Sequence, residues 1–121
     1  MTITEERLFD LALLEQMDDE NFIIQIIEIF LLDTPADLAI MEHAFKDGDL
    51  DTVCKTAHKL KSSTGMLQAN SLFGMLGNIE KLSKTGITSS QLTELVQSSS
   101  VEFNQLKNAL KLHLHDIKAP E

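Results

Sequence analysis

Tryptophan and tyrosine are absent from this chain of 121 residues, cysteine occurs once, proline twice and glycine five times. The lone Cys54 excludes an internal disulfide and any cysteine-based metal cluster. Scarce Pro and Gly leave little turn chemistry, and the many Leu, Ile, Glu, Lys and Gln favour helix from end to end. The apolar run from Phe22 to Leu32 is far shorter than the ~20 residues of a membrane span and is broken by Gln25 and Glu28. The chain opens without a basic segment followed by an apolar core, so no secretion signal is expected. These absences predict a soluble, cytoplasmic protein without membrane contact, folded as a single domain over residues 1–121.

Charge is plentiful but uneven. Residues 1–52 hold fourteen acids against two bases, whereas residues 53–85 hold five lysines against the single acid Glu80. The whole chain carries a net charge of −9, which argues against nucleic acid as a partner.

Hydrophobic spacing divides the chain into helices. Residues 1–7 and 116–121 read as flexible tails. Phe9 to Met17 reads as a short helix introduced by Asp10, and Asp18-Asp19 closes it and opens the next. From about Glu20 to Lys46, the residues Ile23, Ile27, Phe30, Thr34, Leu38, Met41 and Phe45 keep one stripe, which predicts a single helix running past Pro35. The competing reading starts a new helix there, with Thr34 as cap and Pro35 at its first position. Phe22, Ile24, Ile29 and Leu32 lie off the stripe; the short helix should cover some of them, and the remainder would be a docking patch.

Gly48 and Asp49 suit a helix end and a helix start, so the next helix spans about Leu50 to Leu67. Asn70 or Ser71 should cap a third long helix, Leu72 to Ser83, in which Gly74 and Gly77 are expected to permit close helix approach. Thr88-x-x-Gln91 reads as a capping box for a last helix reaching about His115, weakened in its middle by Ser98-Ser99-Ser100. The expected fold is all-α: an antiparallel up-down four-helix bundle with a short N-terminal lid helix. Such bundles can hold metals between helices, but His113 and His115 point to different sides, His43 lies off the core stripe and no Glu-x-x-His pair occurs. No metal site is expected.

The stretch from Ala57 to Ala69 carries the chemistry. Val53, Ala57, Leu60, Thr64 and Leu67 form one buried stripe at about 100° per residue, and His58 lies nearly opposite it. Around His58 come Cys54, Lys55, Lys61, Ser62 and Gly65, so the imidazole should face water with little bulk beside it. Lys61, three residues on, is its neighbour within roughly 5–6 Å between β-carbons. A neutral imidazole is a good nitrogen nucleophile and can carry a group covalently. If that group is a phosphoryl, it brings close to two negative charges, for which Lys61 is a point-charge partner. A lone His on a polar helix face is by default an ordinary surface residue; only its company changes that.

Ala57-His58-x-Leu60-Lys61-x-Ser63, followed by Leu67-x-Ala69 and later Ile79-Glu80, resembles the histidine-containing phosphotransfer (HPt) domain of multistep two-component phosphorelays. The resemblance extends from about Leu8 to the last helix. It implies a phosphorelay intermediate in which His58 accepts a phosphoryl group at Nε2 from a receiver-domain phospho-aspartate and passes it to a second receiver, while Lys61 stabilises the charge. Its partners would be response-regulator receiver domains and a hybrid histidine kinase. The receiver would supply aspartate and magnesium, so the chain would need no cofactor of its own and would not be an enzyme. A basic collar from Lys55, Lys59 and Lys61 would steer the acidic receiver pocket, and Ser62, Gly65, Gln68, Met17 and Ile24 complete the expected partner surface on a monomer. Two positions depart from the family pattern, which usually has glycine where Ser62 and Gln68 stand. Ser62 is still small; Gln68 is bulkier and should narrow partner choice. No general acid or base, Gly-rich phosphate loop or carboxylate pair is expected beside His58. Beginning at Met1, the chain reads as a separate shuttle, although a domain cut from a larger kinase would carry the same pattern. The alternative is a helical adaptor that docks receivers or a kinase without obligatory phosphotransfer.

Overall fold

Two aspartates start the two helices that set the frame. The computed structural model describes residues 8–118; the expected tail at residues 1–7 and residues 119–121 lie outside the described residues. Asp19, in extended backbone, accepts a hydrogen bond from the Phe22 amide at 3.1 Å and begins α2, Glu20–Lys46. Asp49 accepts from the Thr52 amide at 3.1 Å and from its hydroxyl at 2.6 Å, and begins α3, Leu50–Met66. Each side chain satisfies an amide that the first turn of a helix leaves free. Between them Gly48 takes φ +77°, a left-handed conformation that reverses the chain at no steric cost. Helix α2 passes Pro35 without ending.

The remaining elements are α1, Ala12–Glu15, α4, Asn70–Ser83, and α5, Ser90–Lys118. The four long helices form the expected all-α bundle. Cross-links between α2 and α5 show their antiparallel course: Ser100 donates to Glu42 at 2.6 Å, and Lys118 pairs with Glu28 at 3.1 Å. The core takes Ile23, Ile27, Phe30, Leu38 and Met41 from α2, Val53, Ala57 and Leu60 from α3, Leu72, Leu76 and Ile79 from α4, and Leu92, Val96, Phe103, Leu106 and Leu110 from α5. Leu67 is buried at the end of α3, as the stripe predicts.

Several local expectations are corrected. Helix α1 has four residues rather than the nine expected, because the Asp10 side chain accepts from the Ala12 amide and the chain turns again at Asp18, at φ +51°. Its buried Leu14 and the preceding Leu11 still close the bundle end, where the Asp10 amide donates to the Leu67 carbonyl at 2.9 Å and Phe9 meets His113 edge-on. Helix α4 begins at Asn70 without a side-chain cap. Ser89, not Thr88, caps α5, its hydroxyl accepting from the Leu92 amide at 3.1 Å. Helix α5 runs unbroken through its serines: Ser99 is fully buried and donates to the Val96 carbonyl at 2.8 Å. It continues to Lys118, past the expected end near His115. On α2 the stripe ends on Ala44, with Phe45 half-buried.

Gly74 and Gly77 do not serve close approach, since a β-carbon at either position would meet nothing within 4 Å. Both are mid-helix and carry the backbone-entropy cost of glycine without a packing return. Gly74→Ala should therefore raise unfolding free energy by about 1 kcal/mol, read by urea denaturation; a loss of stability would show that the position needs glycine. Gln68 sits at φ +49° in the α3–α4 turn, a strained choice for a residue with a side chain. Gln68→Gly should also stabilise, by about 1 kcal/mol.

Candidate functional site

His58 lies on α3 where the buried stripe predicts, opposite Ala57 and Leu60, and its side chain is 71% exposed. What holds it comes from another helix. Glu80, one residue past the buried Ile79 of α4, turns into the groove between α3 and α4, where it is only 12% exposed. Its Oε2 lies 2.8 Å from His58 Nδ1, and its Oε1 accepts from Lys61 Nζ at 2.8 Å. One carboxylate thus takes both polar groups of the His58 turn, one on each oxygen. Lys84, one turn further along α4, places its Nζ 3.9 Å from Oε2.

The Lys61 hydrogen bond is the main reason the Glu80 carboxyl is held below the ordinary glutamate value; partial burial opposes it and the His58 contact adds to it. Glu80 is therefore ionised at neutral pH, and an ionised carboxylate only accepts. The imidazole proton must then sit on Nδ1, which leaves the Nε2 lone pair free and facing solvent. Lys61 is 28% exposed and lies 5.7 Å above the Phe73 ring, which limits its wandering. A β-carbon at Gly65 would touch that ring at 3.4 Å. The Cys54 thiol reaches the Glu80 carbonyl at 3.7 Å, a further tie between the two helices.

The other residues expected on this surface are distributed unevenly. Lys59 pairs with Asp37 of α2 at 3.1 Å and Lys55 with Asp51 of its own helix at 2.9 Å. All three lysines of the expected basic collar therefore have acidic partners, and the patch is far less positive than the sequence count implies. Ser62 is exposed and borders a cleft between α2 and α3 with Ile26, Ile29, Asp33, Lys59 and Met66. On this side of α2, Ile29 is 56% exposed, and Leu32, on the outward face of the same helix, is 77% exposed, so the lid covers neither. Met17, exposed at the turn after α1, and Ile24, half-buried on α2, do not line that cleft. Gln68 lies at the lid end of the bundle, about 15 Å along the chain axis from His58, bordering a pocket with Leu8, Phe9, Asp10 and Ser71. Its buried Oε1 has no hydrogen-bond partner.

Glu80 is the candidate site residue that the sequence pattern did not single out. The Ile79-Glu80 pair was visible, but only packing shows that the acid meets His58 and Lys61. The earlier expectation of no acid or base beside His58 is corrected accordingly.

Residues 25–119 match the family model described as the Hpt domain. Among solved structures the chain is similar to histidine-containing phosphotransfer protein B (HptB) from Pseudomonas aeruginosa PAO1, with a TM-score of 0.84 and 22% identity over 93% of this chain and 98% of that one. At that identity the likeness speaks for the fold. No curated protein matches.

The Glu80 interactions predict a pH signature. Because its carboxyl is held below the ordinary value of 4.5, its contribution to stability is complete above that pH and is lost as the pH falls through the lower folded value. Wild type should exceed Glu80→Gln in urea midpoint at about pH 7, with the gap closing as the pH falls below 4.5. A gap that persists undiminished in acid would show that Glu80 stabilises by packing alone.

Proposed function

Because the chain belongs to the Hpt domain family, we propose that it is a phosphorelay intermediate in two-component signalling that carries a phosphoryl group on His58 between receiver domains. The observation that carries this reading is the exposed imidazole with Nδ1 bound to Glu80 and Lys61 on the same carboxylate. The structurally similar HptB is a histidine-containing phosphotransfer protein, in agreement with this reading.

The chemistry follows from the geometry. Nε2 presents its lone pair outward to the phosphorus of a receiver phospho-aspartate, and Ser62 and Gly65 leave room for the receiver to close over it. Lys61 is near enough to turn from Glu80 toward the phosphoryl oxygens as they arrive, offsetting their charge. Magnesium and the acceptor aspartate belong to the receiver, so the chain supplies a nucleophile and a docking shape, with no cofactor or catalysis of its own. Exposed Ile29, Met66 and Phe73 around this face provide apolar area for such a partner. A hybrid histidine kinase would stand upstream.

The test is transfer from a receiver domain phosphorylated by a small phosphodonor with magnesium. Acid-labile, base-stable label should appear on the wild type and be absent from His58→Gln. Lys61→Ala should slow transfer by about 10–100-fold, the worth of one hydrogen bond to a charged group. Wild-type protein that binds receivers but stays unlabelled would instead establish a docking adaptor.

A further inference from the structure

The carboxylate that orients His58 also bears on what happens after the phosphoryl arrives, an inference that rests on His58 being the phosphoacceptor. When Nε2 attacks, its lone pair forms the P–N bond, and the P–O bonding pair leaves with the donor aspartate. The ring then holds both the phosphoryl at Nε2 and its original proton at Nδ1, and is cationic. Free in water, such a ring can shed the Nδ1 proton. Here that proton points at Glu80 Oε2, 2.8 Å away.

We infer that Glu80 holds the Nδ1 proton on the ring while Nε2 carries the phosphoryl, so that the group departs from a cationic ring up to a higher pH than a free phosphohistidine would allow. In the return step an aspartate oxygen of the receiver attacks phosphorus and the P–N pair goes back to Nε2. The leaving group is then neutral imidazole, with its proton still at Nδ1 and the original hydrogen bond intact. Transfer in either direction needs no proton to enter or leave, so the site works without a general base. Neutral imidazole is also a far better leaving group than imidazolate, which makes the carried phosphoryl easy to pass on.

The surrounding groups support this assignment. From α3, Lys61 holds Oε1, and Cys54 meets the Glu80 carbonyl. From α4, Lys84 is 3.9 Å from Oε2. From α2, Asp37 engages Lys59 and keeps that cation on the far flank, while Lys55 is held by Asp51. When Lys61 turns to the phosphoryl oxygens, the Glu80 charge is left to face the ring. Its carboxyl is held below the ordinary range, so it stays an acceptor throughout the neutral region. A glutamine in its place could turn its amide to donate to a bare Nδ1 and so favour the deprotonated, slow-leaving ring.

The experiment loads His58 with phosphoramidate in the absence of any receiver and follows loss of phosphohistidine by phosphorus NMR from about pH 5 to 9. Wild type should keep its fast loss to a pH about one unit higher than Glu80→Gln does. At about pH 8 the variant's phosphoryl should then last about tenfold longer. Glu80→Asp, which retains an acceptor-only carboxylate, should move the profile less than Gln does. Coincident profiles for wild type and Glu80→Gln would overturn the inference, as would a wild-type profile identical to that of free Nε2-phosphohistidine. Failure of receivers to draw the phosphoryl from loaded wild type would sink the relay reading alone, because the lifetime comparison uses no receiver.

Discussion

One carboxylate joins the two halves of the site. Glu80 takes the His58 ring on one oxygen and the Lys61 ammonium on the other, each at 2.8 Å, and it comes from a different helix than both. Without it the imidazole would be a freely rotating surface side chain with either nitrogen protonated. With it the ring has one tautomer and one outward-facing nucleophilic nitrogen, and Lys61 has a defined resting place beside it. The carboxylate also neutralises the lysine.

That arrangement depends on packing that is mainly apolar. Ile79 is fully buried in the core that also takes Val53, Ala57 and Leu60 of α3, and the next residue along α4, turned by about 100°, falls into the groove facing α3. The register of α4 against α3 therefore decides where the acid sits. Three features hold that register: the tight turn at Gln68, the lid that bonds to the Leu67 carbonyl, and buried Leu72 and Leu76. Small polar residues inside the bundle do not disturb it, because Thr64 and Ser83 donate to carbonyls of their own helices.

The surface around the site is less charged and more apolar than its composition implies. Lys55, Lys59 and Lys61 each lie against an acid, while Ile29, Met66 and Phe73 stay in solvent. Exposed ion pairs contribute little to stability, but they cancel much of the long-range field that would draw an acidic partner. Contact with apolar area is left as the larger source of affinity for whatever covers this face.

The sequence alone determined most of the scaffold. Helix boundaries at Asp19, Gly48 and Asp49, continuity through Pro35, the buried stripe of α3 and the exposure of His58 all follow from periodicity and local capping, which act within a few residues along the chain. The Gly74 and Gly77 misreading, the shortened α1 and the shift of the α5 cap to Ser89 show where local rules ran out: each depends on a neighbour that spacing cannot name. Glu80 belongs to the same class. It lies 22 residues from His58 in the chain, on a separate helix, and only the rotation and register fixed by apolar packing between α3 and α4 bring its carboxylate to the imidazole and lysine. Periodicity specifies which face of a helix is buried; which polar residues then meet across the rim of that buried face is decided by how the helices pack.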